Sequence, residues 1–106
     1  MCRMTDRELY AGLIRLHLLY HAGEGPIYGF SMIEELAGHG YRLSPGTLYP
    51  ILHGLEKKGY LRSTERRLGR TARRMYRITP SGRRALDEAK RKVFELFGEM
   101  FFDGES

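Results

Sequence analysis

Residues 44–58, SPGTLYPILHGLEKK, constrain this chain more than any other stretch. Ser44 is placed to cap a helix, and Pro45 suits the first helical position, where its missing N–H costs nothing. Leu48, Leu52 and Leu55 then recur at i, i+4, i+7, the spacing of a buried stripe. Gly46, Tyr49, Pro50, His53 and Lys57 fall on the other side, with almost no bulk at the helix start. Pro50 removes a bond to the Gly46 carbonyl, and glycine at that point leaves space for the conflict, so a slightly opened first turn is expected. Such a helix, bare at its N-terminus and rich in hydroxyls outside, can press closely against another molecule.

The following stretch indicates what that molecule is. Arg66, Arg67, Arg70, Arg73, Arg74 and Arg77 fall within twelve residues that contain no acid. A presentable helix followed by an arginine-rich hairpin is the pattern of a DNA-binding winged helix. Charge is distributed accordingly. Residues 62–92 hold twelve Lys/Arg against three Asp/Glu, whereas the remainder holds six against ten, and the whole chain carries +5. This polarity suits an anionic partner on one face and a different contact on the other.

A chain of 106 residues forms one domain with a modest core that gains from a partner. Cys2 is the sole cysteine, which rules out an intrachain disulfide and points to a reducing compartment. Arg7, Glu8, Arg15 and His17 interrupt the apolar residues near the N-terminus, so no signal-peptide core is expected there. No apolar run reaches membrane-spanning length, and the expected location is cytoplasmic.

The hydrophobic periodicity predicts a first helix from a Thr5 or Asp6 cap to about Ala22. Leu9, Leu13, Leu16 and Tyr20 form one apolar stripe on it, and Tyr10, Ile14 and Leu18 form another; a helix apolar on two sides meets two partners. A second helix is expected over 29–38 with Phe30, Ile33, Leu36 and Ala37 inward. The third begins at the Ser44 cap and ends at Gly59. Residues 60–66 and 72–78 read as two strands about a turn centred on Gly69, with Tyr76 and Ile78 on one face and Arg73, Met75 and Arg77 on the other. Thr79 and Pro80 open a last helix running to about Phe102, with Leu86, Val93 and Phe97 along one side and Ala89, Phe94 and Phe101 widening it. The expected class is mainly α, an α+β winged helix-turn-helix: three helices, a two-stranded hairpin wing and a long C-terminal helix. The expected division is 5–79 for the head and 80–103 for a dimerisation helix.

The runs GPIYGF (25–30), LSPGTLYP (43–50), LEKKGYL (55–61) and RMYRITPSG (74–82), in this order, give the chain a further identity. It resembles a short member of the PadR family of bacterial transcriptional regulators. SPGTLYP is the specific element, while the wing and the T-x-x-G after it are shared more widely. Met75 departs from the family, which often places a second aromatic there. The resemblance implies a homodimeric repressor on a palindromic promoter operator in double-stranded DNA, dimerised through its last helix together with its first. It also implies, for some members, release by a small aromatic or cationic effector at the dimer interface. The tryptophan used for stacking in the multidrug-responsive member has no counterpart here, because the sequence contains no Trp.

The residues expected at DNA are Tyr28, Ser44, Pro45, Gly46, Thr47, Tyr49, Pro50 and His53, with Arg70, Arg73 and Arg74 of the wing. Arg66 and Arg77 are expected to be solvated. Hydroxyls and backbone N–H groups at a helix N-terminus favour phosphate, and arginine favours phosphate or a narrowed minor groove. Tyr10, Ile14 and Leu18 of the first helix, with Val93, Phe94, Phe97 and Phe101 of the last, are expected at the dimer interface. No nucleophile–base pair, phosphate loop or paired carboxylate supports an enzyme. His17, His21, His39 and His53 are scattered in sequence without ligand-spaced Cys or carboxylate; although His17 and His21 are i, i+4, no metal or cofactor is expected. The competing reading is a winged helix that binds protein and never meets DNA; an activator or architectural role is a third.

Overall fold

The computed structural model describes residues 7–102; the expected Thr5 or Asp6 cap and Cys2 lie outside them. Seven elements follow in chain order: α1 (Arg7–Glu24), β1 (Ile27–Tyr28), α2 (Gly29–Gly38), α3 (Pro45–Lys57), β2 (Leu61–Leu68), β3 (Thr71–Ile78) and α4 (Pro80–Phe101). This is the winged helix-turn-helix expected from the sequence, with one strand more. The short β1 pairs antiparallel with β3, Ile27 opposite Tyr76 and Tyr28 opposite Met75, giving a sheet of order β1-β3-β2.

The core gathers one face of every helix over that sheet. Ile14, Leu18, Leu19 and Ala22 of α1 meet Met32 and Leu36 of α2, then Leu48, Leu52 and Leu55 of α3. Leu61, Tyr76 and Leu86 close it from the strands and from the first turns of α4. Tyr76 is fully buried, and its hydroxyl is the one buried side-chain polar atom without a hydrogen-bond partner among the described residues.

Facing assignments change on three elements. On α2, Phe30 and Ala37 face solvent, while Gly29, Met32 and Leu36 are buried and Ile33 is half-buried. β1 sets this phase: its pairing with β3 carries the chain into α2 with Gly29 against α3, and i+3 and i+7 from it turn inward. On α1, Leu13 is 44% exposed, whereas Ile14 and Leu18 are 2% and 0% exposed. On β3, Met75 is buried rather than outward, because the Tyr28 hydroxyl covers it, donating to its Sδ at 3.6 Å.

The junctions follow their local chemistry. Gly59 takes a φ of +88° after the Lys58 C-cap, a conformation that glycine adopts without strain. Thr79 caps α4 by accepting from the Gly82 N–H at 2.9 Å, while its own hydroxyl donates to the Gly59 carbonyl at 2.5 Å. A Cβ at position 82 would strike the Tyr60 carbonyl, so the T-x-x-G pattern locks α4 directly onto the end of α3.

Candidate nucleic-acid interface

The start of α3 projects from the head as a nearly bare turn. Ser44, Pro45, Gly46, Pro50 and His53 are exposed, and Thr47, Tyr49 and Tyr28 are half-buried. Ser44 holds the N-cap position with φ −86° and ψ 163°, and its carbonyl accepts from the N–H groups of Thr47 and Leu48 at 3.0 and 2.9 Å. Its side chain does not cap, contrary to expectation: the hydroxyl instead donates to Thr47 Oγ1 at 3.4 Å. With Pro45 and Gly46 following, nothing bulky stands over the positive end of the helix. Pro50 lies inside the regular helix, and the helix continues through it to Lys57.

The ring of Tyr49 packs so closely on Gly29 that a Cβ there would overlap the ring carbons and hydroxyl. Tyr49 therefore braces α3 against α2 through its phenolic end, and any outward role rests on the part of the half-buried side chain that stays accessible.

The wing is a regular two-stranded ribbon. Its register sets Arg62 opposite Arg77, Glu65 opposite Arg74 and Arg66 opposite Arg73, about a turn in which Gly69 has φ +64°. The first strand extends two residues beyond the expected end, to Leu68, and carries Glu65, the one acid of the hairpin. Arg66, Arg67, Arg70, Arg73, Arg74 and Arg77 are all exposed.

Arg74 has a partner that the sequence did not announce. Its guanidinium donates to Ser63 Oγ at 3.1 Å, and the Ser63 hydroxyl and N–H donate to the Glu56 carboxylate at 2.8 and 3.0 Å. Burial pushes the Glu56 carboxyl up, but the Ser63 bonds, Arg74 and His53 outweigh it and hold the group below its ordinary value. This chain of bonds fastens the root of the wing to the outer side of α3, so Arg74 positions the wing, whereas Arg70 and Arg73 stand free of any such bridge among the described residues. Sequence spacing could not reveal this, because Glu56, Ser63 and Arg74 lie on three elements.

A second exposed surface runs along α1 and α4. Leu13, Leu16, His17 and Tyr20 of α1 line a groove of about 440 Å³ with Leu86, Lys90, Val93, Phe94 and Phe97 of α4. Phe94 is 77% exposed, and Leu9, Phe101 and Phe102 extend the apolar surface beyond the groove. The α1 side corrects the sequence reading: Ile14 and Leu18 are spent in the head's own core and Tyr10 packs against it, so the outward stripe is Leu9, Leu13, Leu16 and Tyr20. Both stripes have helical spacing, and only packing against the sheet decides between them. None of the described helices is long and apolar enough to cross a membrane.

Comparison with known proteins agrees with this architecture. The Transcriptional regulator PadR-like family profile matches residues 18–88. Transcriptional regulator Rv3488 of Mycobacterium tuberculosis is 49% identical over 94 residues, covering 89% of this chain and 88% of that protein. The crystal structure of a PadR family transcriptional regulator from Eggerthella lenta superposes with a TM-score of 0.78 at 32% identity, covering 92% of this chain and 86% of that one. The PadR-like regulator of Bacillus cereus, at 24% identity, shares the fold with a TM-score of 0.79, over 88% of this chain and 92% of its own. The family consists of regulators rather than enzymes. The chain belongs to the PadR-like family of transcriptional regulators.

Proposed function

We propose that this regulator is a cytoplasmic homodimeric repressor that grips a palindromic promoter operator with α3 and the wing. The observation that carries the reading is the bonded path Glu56–Ser63–Arg74, which ties α3 to the root of the arginine ribbon. In this mechanism Ser44, Thr47, Tyr49 and His53 meet the major groove, with Pro45, Gly46 and Pro50 allowing close approach and Tyr28 flanking them. Arg70 and Arg73 reach the backbone or minor groove beside it.

A second copy of the chain is the occupant that best fits the α1/α4 groove. The apolar surface is continuous over both helices and ends in an aromatic row on a helix that has already left the head. Exposed, such a surface exceeds what monomers usually carry, and closing it against a two-fold copy places two α3 helices for successive half-sites, about 34 Å apart. A small aromatic effector entering the same seam would bias that spacing.

Footprinting and electrophoretic shift on the chain's own upstream region test the reading. Protection of a two-fold symmetric site supports it. Absence of any shift at low salt, with the folded dimer present, returns the protein-interaction reading.

A further inference from the structure

Three of the four histidines, from two helices, converge at the place where α1 crosses the C-terminal end of α2. His17 and His21 lie one turn apart on α1, and His39 is the C-cap residue of α2. One ligand atom from each lies within 4.8 Å of the other two. A carboxylate completes the cluster: Glu35 Oε2 is 3.4 Å from His21 Nε2 and 3.0 Å from His39 Nε2. No carboxylate at ligand spacing was expected from the sequence, yet Glu35 and His39 are themselves i, i+4 on α2.

We infer that His17, His21, His39 and Glu35 form a binding site for one divalent transition cation per chain. A tetrahedral ion with bonds of about 2.0–2.1 Å sets its ligand atoms about 3.3–3.4 Å apart; the Glu35 oxygen already keeps that distance from His21 and lies slightly closer, at 3.0 Å, to His39. Bringing the imidazole nitrogens to the same separation requires shifts of about an ångström, within reach of ring rotation. The rings are partly aligned: His17 stacks on His39 with centroids 4.6 Å apart, and the edge of Tyr41 holds His17 at 5.5 Å. Three imidazoles and one carboxylate select a borderline ion such as zinc, nickel or cobalt over calcium or magnesium, which prefer oxygen shells. Ligation requires neutral imidazole.

The location gives the ion leverage. His17 also lines the α1/α4 groove, and α2 carries Gly29 against the α3 tyrosine. A bound ion therefore staples the helix at the groove to the helix that supports α3. Ion binding at this site is independent of whether the chain binds DNA.

Cobalt(II) titration of the metal-free full-length protein, followed by its ligand-field absorption, tests the site. Saturation at one cobalt per chain, reversed by zinc, is expected. Removing an outer-shell partner typically costs 10–100-fold in affinity, so removing a ligand in His21→Ala or His39→Ala should weaken binding by at least about 100-fold. Glu35→Gln, with only a neutral amide oxygen to offer, should weaken it less. Circular dichroism of the variants should match the parent, since His39 is exposed and His21 lies at the rim. Absence of the bands in the parent overturns the inference, as does binding that survives intact in folded His21→Ala and His39→Ala.

Discussion

The ring of Tyr49 lies directly on the Cα of Gly29, with no room for a methyl group between them. This packing sets how the two helices of the helix-turn-helix cross. Gly29→Ala must push the tyrosine aside or part the helices, at a cost of about 1–3 kcal/mol typical of an overfilled core. Gly54 on α3 is the contrasting case: a Cβ there meets nothing within 4 Å. Gly54→Ala should raise stability by up to about 1 kcal/mol through helix propensity alone. Urea unfolding of the two variants measures both; a Gly29→Ala protein as stable as the parent would show that the tyrosine does not hold the crossing.

The hydroxyl of Tyr49 can be tested apart from its ring carbons. Tyr49→Phe keeps the ring carbons on Gly29 but removes the hydroxyl that also lies against it, so unfolding should change by no more than about 1 kcal/mol. If the phenol meets DNA, operator affinity should fall by roughly 1 kcal/mol, the order of one net hydrogen bond. Unchanged affinity assigns the residue wholly to the helix crossing.

Wing arginines should divide into two groups. Arg70→Ala and Arg73→Ala should each lower the slope of log K against log salt by about 0.9, as when one phosphate is no longer neutralised. Arg74→Ala should act differently, loosening the wing at Ser63 and weakening DNA binding while changing the salt slope less. Equal slope changes at all three positions would show that the Ser63 bond gives way on DNA.

The architecture was largely readable in the sequence because winged helices announce themselves through local signals. Leu48, Leu52 and Leu55, the glycine at 59 and the Thr79–Pro80 start each fix an element from neighbours in the chain. What could not be read depends on pairings distant in sequence. The strand Ile27–Tyr28 exists only because β3 offers it an edge, and it sets the phase of α2 that buries Met32 in place of Phe30. The Glu56–Ser63–Arg74 path and the histidine cluster likewise join residues from separate elements. Among the site residues, the exposed face of α3 and the arginine ribbon lie where the pattern placed them, whereas the two apolar stripes of α1 exchange roles.

Glu56 makes the wing root sensitive to acid. Its folded pKa lies below the ordinary value of 4.5, so the unfolded chain binds more protons in the window between the two. The stabilisation is complete above that ordinary value and disappears as pH falls through it toward the folded pKa. Glu56→Gln should therefore be less stable than the parent at neutral pH, and the difference should shrink at acidic pH. A gap that is constant across the range would show that the charge on Glu56 contributes nothing.

The exchanged stripes of α1 yield the sharpest test of the dimer, because neighbouring positions should respond in opposite ways. Ile14 is 2% exposed within a single chain, so Ile14→Asp places a carboxylate in the head's own core, where an unpaired charge costs several kcal/mol. That variant should lose its cooperative unfolding transition. Leu13 lies one residue earlier and lines the groove, as does Phe97 on α4. Within a lone chain, Leu13→Asp and Phe97→Asp leave the new carboxylate in water, and helical content should be kept. Across a two-fold seam the same carboxylates are buried against apolar side chains, so both variants should sediment as monomers and lose operator binding together. If Leu13→Asp and Phe97→Asp stay dimeric with full affinity, the groove is not the interface; if Ile14→Asp folds normally but runs as a monomer, the seam runs through Tyr10, Ile14 and Leu18 instead.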